Sequence, residues 1–106
     1  MRINNMSVIQ INKDNFDAIK QSGKTVLLDF YADWCGPCRM LAPAIEQIAE
    51  EREDIVVGKI NVDNEGELAY AFGVVSIPTL VVLKKGEAVS RATGARPKAQ
   101  ILAMLD

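Results

Sequence analysis

The chain has no histidine among its 106 residues, and that absence removes much of enzyme chemistry at once. Without imidazole there is no Ser-His-Asp triad, no histidine general base and no zinc site built on histidine. Cysteine is scarce too, at two residues, but 49% of the chain is apolar, ample for a core without disulfide staples. No apolar stretch approaches the length of a membrane span. Residues 1–13 are polar, broken by Asn4, Asn5, Gln10 and Asn12, and hold no apolar run of the secretory-signal kind. Excess positive charge is missing as well: a net charge of -2 and a pI near 5.1 argue against nucleic acid or an anionic membrane as partner. With no repeat, low-complexity tract or Pro/Gly/Ser-rich linker, a single domain over residues 1–106 is expected. These absences predict a soluble cytoplasmic protein, in a compartment where thiols stay reduced unless they do chemistry, and a monomer is expected.

What the chain does have is an alternation of apolar runs and amphipathic stretches. Residues 7–11 read as a short strand, and Asn12 or Asp14 caps a helix that turns Phe16 and Ile19 inward and stops at Gly23. Residues 25–32, TVLLDFYA, are almost continuously apolar, the pattern of a central strand covered on both faces. A helix is predicted over 37–52, with Leu41, Ala44, Ile45 and Ile48 at core spacing and a solvated charge run at 50–54. Residues 55–60 add an apolar strand, completing a βαβ unit with a right-handed crossover. A short helix at 65–72 ends at Gly73, and strands at 79–83 and 88–93 flank the turn Lys84-Lys85-Gly86-Glu87. Pro97 starts a last helix with Ile101, Leu102 and Leu105 facing in. The fold class is α/β: a mixed sheet of about five strands with about four helices spread over both faces.

The cysteines lie where the central strand hands over to the long helix, in Ala32-Asp33-Trp34-Cys35-Gly36-Pro37-Cys38-Arg39. Zinc takes about four ligands, and two thiols with no second CxxC fall short, so no metal is expected. A purely structural disulfide across so small a loop constrains the unfolded chain little. Two inert buried thiols are a further reading, but geometry favours a redox-active pair. Pro37 suits the first position of a helix, where its missing N–H is no loss. Cys35 then sits just ahead of the helix, where free N–H groups and the positive dipole end favour a thiolate. Cys38, one turn on, shares its face and can close a disulfide. Cys35 is expected to attack and Cys38, the more buried, to resolve the mixed disulfide.

Asp29 is a carboxylate inside an apolar strand, six residues before Cys35. It is either the ion-pair partner of Lys59, in the neighbouring run IVVGKI, or a desolvated acid with raised pKa that exchanges a proton with Cys38. The second reading is favoured, and a Lys59 contact is compatible with it. Trp34, alone, could be a core aromatic, and Pro78 a proline tolerated at a strand start.

The stretch from Asp29 to Pro43, DFYADWCGPCRMLAP, resembles the active-site signature of the thioredoxins from end to end. The resemblance implies the thioredoxin sheet order with the TVLLDFYA strand central, tuning of the redox potential by Gly36 and Pro37, and a cis peptide before Pro78. It also implies a substrate groove lined by Trp34, Gly36, Pro37, Ile77, Pro78 and Gly94, in which the Ile77 backbone pairs with an extended target. Pro43, shared with the family, should kink the long helix. Tyr31 departs from the family, where tryptophan is usual. The implied activity is a protein-disulfide reductase working without bound cofactor on protein disulfide substrates, supplied with electrons by a thioredoxin reductase, a flavoprotein using NADPH. A redox-insensitive subunit of a larger assembly, and an oxidant or isomerase, are the competing readings.

Overall fold

The apolar runs pair into one five-stranded sheet in the order β1-β3-β2-β4-β5. In the computed structural model, which describes residues 7–106, the strands are β1 (Val8–Gln10), β2 (Val26–Tyr31), β3 (Val56–Asn61), β4 (Thr79–Lys84) and β5 (Glu87–Thr93). The helices are α1 (Phe16–Lys20), α2 (Gly36–Glu51), α3 (Gly66–Ala71) and α4 (Lys98–Met104). The expectation for residues 1–13 lies, over its first six residues, outside the described part. No helix among the described residues is long and apolar enough to cross a membrane.

β2 lies between β3, parallel, and β4, antiparallel, and its first five residues are fully buried. Alternation divides its side chains between two cores. Leu27 joins Leu41, Ile45 and Ile48 of α2, Leu80 and Val82 of β4, and Ile101 and Leu105 from the α4 end. Val26, Leu28 and Phe30 face the other way, onto Ile11, Ile60 and Val81, with Phe16 of α1 and Phe72 beyond α3 packed against them. Asp29 shares the parity of Leu27 and therefore lies on the α2 side of the sheet. β4 and β5 meet in a two-residue turn where Lys85 and Gly86 have φ of 52° and 81°, the left-handed pair that matches strand twist.

Several local expectations shift. Asn12 does not cap α1 directly: its side chain accepts from the amides of Asp14 and Asn15 at 2.8 and 3.0 Å, turning the chain before Asn15 takes the cap position. Pro97 precedes α4 in extended conformation and is its N-cap, not its first helical residue. Gly36 opens α2, so Pro37 is its second residue, still within the turn whose N–H groups have no partner. Pro43 does lie inside α2, at the position where the kink is expected.

Gly58 in β3 is a close approach that the pattern did not single out. A methyl there would lie 2.1 Å from Cδ1 and 2.8 Å from Cγ1 of the buried Ile11. Gly58→Ala should therefore destabilise the fold by about 1–3 kcal/mol through overpacking. Ile11→Ala removes the clashing atoms, so the double variant should be more stable than the sum of the two single losses allows. Strictly additive losses in urea melts would show that the strand moves aside instead.

Candidate active site

Four residues separate the end of β2 from the start of α2, and their contacts fix the corner. The Cys35 amide donates to Ala32 O at 3.2 Å, and Arg39 Nη1 donates to Asp33 O at 2.8 Å. Cys35 is the N-cap of α2, with φ of -88° and ψ of 111°, and its Sγ accepts from the Cys38 amide at 3.2 Å. A sulfur in the usual place of a capping oxygen faces the free N–H groups and the positive end of a 16-residue helix. Negative charge on that sulfur is favoured there. Cys35 and Cys38 are joined as a disulfide with Cα atoms 5.3 Å apart.

The expected contrast in burial is not found, since Cys35 is 5% exposed and Cys38 4%. Direction distinguishes them instead. Cys35 borders an open apolar groove whose one wall is Trp34, Gly36 and Pro37 and whose other wall is Val74, Val75, Ser76 and Ile77. Cys38 borders a recess behind the corner, together with Tyr31, Ala32, Ala42 and Lys59.

Sequence reasoning missed Val62, Val74, Val75 and Ser76 as groove residues. Val75, almost wholly exposed beside Ser76-Ile77-Pro78, was the available signal. It also missed Asp63, whose Oδ2 accepts from the Trp34 indole at 2.8 Å. That bond pins a largely exposed ring at the groove mouth, so Trp34 is not a core aromatic. Pro78 is buried and follows a cis peptide from Ile77, whose carbonyl oxygen lies 3.9 Å from Cys35 Sγ. Neither Pro78 nor Gly94 borders the groove itself. Gly94 bonds to Pro78 O at 2.8 Å with φ of 97°, and a methyl at its Cα would meet no atom within 4 Å.

Asp29 is 1% exposed and neither carboxylate oxygen has a hydrogen-bond partner among the described residues. Lys59 stands directly opposite in the β2–β3 register, yet its ammonium lies over the Tyr31 ring, 4.3 Å from the centroid. The ion-pair reading of Asp29 is thus not realised as a contact. Burial pushes its pKa from 3.8 to about 6, with the charge on Lys59 pulling the other way.

A sulfur-capped helix at the end of a buried strand, an open groove beside one cysteine and a desolvated acid on the α2 side define a thiol–disulfide oxidoreductase. The thioredoxin family profile matches residues 7–106. A thioredoxin from Alicyclobacillus acidocaldarius is 48% identical over 86% of this chain and 88% of its own. One from Mycobacterium bovis is 52% identical over 79% of this chain and 73% of its own. A mutant thioredoxin from Halobacterium salinarum NRC-1 superposes with a TM-score of 0.87 at 38% identity, covering 92% of this chain and 87% of the other. The chain belongs to the thioredoxin family. Its activity is that of a protein-disulfide reductase, cycling Cys35 and Cys38 between dithiol and disulfide.

The Asp29 environment generates a stability prediction. A folded-state pKa above the unfolded one means that the native protein holds this proton more tightly. The contribution of Asp29 is therefore most favourable below 3.8 and declines as pH rises to about 6, by about 3 kcal/mol in all. Asp29→Ala should be more stable than the parent at pH 8 by on the order of 1–4 kcal/mol, trimmed by the cavity it leaves. The difference should shrink as pH falls toward 3. The cavity term is independent of pH, so a difference that stays flat across urea melts from pH 3 to 8 would mean that Asp29 titrates normally.

Proposed function

We propose that Cys35 is the attacking thiolate, Cys38 the resolving thiol and Asp29 the acceptor of the Cys38 proton. The observation that carries this reading is that Cys35 alone of the pair borders the open groove. The Cys35 thiolate attacks one sulfur of a target disulfide, forming a mixed disulfide as the other target sulfur leaves as thiolate and takes a proton from water. Cys38 then gives its thiol proton to Asp29, and its sulfur attacks Cys35 Sγ. The Cys35–Cys38 bond forms, the second target thiolate departs, and two electrons have passed to the target. A carboxyl pKa of about 6 suits the task, being unprotonated at neutral pH yet basic enough to take a thiol proton.

The groove fits an extended peptide whose backbone pairs with Ile77 beside Pro78. Trp34 and Pro37 give apolar contact, and Gly36 leaves room for close approach, while Gly94 supports the groove from behind through its bond to Pro78 O. Gly36 and Pro37 also set the potential through the first turn of α2. The oxidised pair is returned to dithiol by a thioredoxin reductase. A relative from Mycobacterium leprae, named a bifunctional thioredoxin reductase/thioredoxin, is 46% identical over 89% of this chain, which covers 21% of that protein. The working form is a monomer of one domain, and the cytoplasm is the compartment that keeps its dithiol reduced.

Cys38→Ser should accumulate a covalent adduct with a disulfide substrate, whereas Cys35→Ser should form none, as read by intact mass spectrometry. Equal trapping by both variants would reverse or abolish the assignment. Asp29→Ala should slow the resolving step at pH 7 in single-turnover reduction, by roughly 10²–10⁴-fold if proton transfer limits it. Resolution at the parent rate would remove Asp29 from the reaction.

A further inference from the structure

Tyr31 lies on the α2 side of the sheet with Asp29, and its hydroxyl reaches Gln10 across the neighbouring strand. Gln10 of β1 and Asp29 of β2 are both in register with Lys59 of β3, one on either side. From the β2 edge of this row the Tyr31 phenol reaches over β3 to the Gln10 amide, with Nε2 3.1 Å and Oε1 3.3 Å from the hydroxyl. Gln10 Nε2 also approaches Lys59 O at 3.4 Å. The Lys59 ammonium rests on the face of this tied ring at 4.3 Å, within cation–π range.

We infer that Tyr31, tied to Gln10, is a positioning residue that holds the Lys59 ammonium off Asp29 and so keeps Asp29 a competent base. The groups facing Asp29 leave Lys59 as the one whose position matters. β4 presents the apolar Leu80 in register, and α2 contributes Leu41 to the same core. Arg39 and Asp33 border the recess, but the Arg39 guanidinium is engaged with the Asp33 carbonyl. Among the described residues, Lys59 is the charge that acts on Asp29. A lysine released from the ring could swing to a carboxylate that has no other partner, and a paired Asp29 would be a weaker proton acceptor.

The catalytic consequence rests on the proposed role of Asp29, but the holding of Lys59 is read separately, by carbon-13 NMR titration of the Asp29 carboxyl. Tyr31→Leu removes the ring and should lower the Asp29 midpoint by on the order of one pH unit. Tyr31→Trp, which keeps an aromatic face, should retain the parent midpoint. Gln10→Leu, an exposed change on the edge strand, cuts the tie without touching the core and should give a smaller fall in the same direction. With Lys59→Met as background, Tyr31→Leu should leave the midpoint unmoved. The inference is overturned if Tyr31→Leu and Gln10→Leu both leave the midpoint in place, or if Tyr31→Leu moves it equally without Lys59. A midpoint that falls while the pH profile of mixed-disulfide resolution stays put would uphold the holding of Lys59 and refute the proton-acceptor role of Asp29.

Discussion

The chemistry of this protein hangs on one junction, where a strand buried on both faces stops at Tyr31 and a helix begins with a sulfur as its cap. A buried central strand cannot shift without exposing both cores at once, so its end is fixed in space. The helix then starts where the Cys38 amide, in its first turn, donates to Cys35 Sγ. Pro37 is acceptable there because the first turn asks for no donor, and Gly36 leaves the backbone beside the disulfide uncovered. If Cys35 attacks as proposed, its sulfur needs no base of its own, which is how a chain without histidine would run nucleophilic chemistry.

The central strand, the long helix and the cysteine pair were legible because each has a local cause: an unbroken apolar run, a 3.6-residue period, a CxxC at their boundary. What was not legible depends on contacts between distant segments. Asp63 meets Trp34 across 29 positions, and Ile11 fills the space that Gly58 leaves. Pro97 carries the signature of a helix start but supplies the cap, a one-residue difference that composition cannot resolve. The cysteines are equally buried, because exposure is decided by where the groove opens and not by depth in the helix. Lys59 is the instructive case: parity put it on the Asp29 side of the sheet, and only the path of Tyr31 toward Gln10 decided where its charge went.

In the proposed function, the groove can admit targets of differing sequence. It is open, largely apolar and bounded by three valines, a proline and a pinned indole, features that remove water without reading a side-chain sequence. In the proposed reaction a target is held by backbone pairing at Ile77, a group every peptide offers. Selection among targets then falls to the disulfide itself, which must lie within reach of Cys35 in an extended segment.

Asp29 shows where folding and reaction pull in opposite directions. A buried carboxylate with no hydrogen-bond partner weakens the native state above its pKa, and the obvious remedy, an ion pair with the lysine directly opposite, is within the reach of the sheet register. The pair is not made, because Lys59 lies on an aromatic ring braced from the next strand. Pairing would stabilise the fold and at the same time lower the basicity that the proposed resolving step draws on. Burial, with no hydrogen-bond partner among the described residues to offset it, holds the Asp29 pKa at about 6, between a fully stabilised carboxylate and a permanently protonated acid. In that range a carboxylate can take up a proton and give it back within one catalytic cycle.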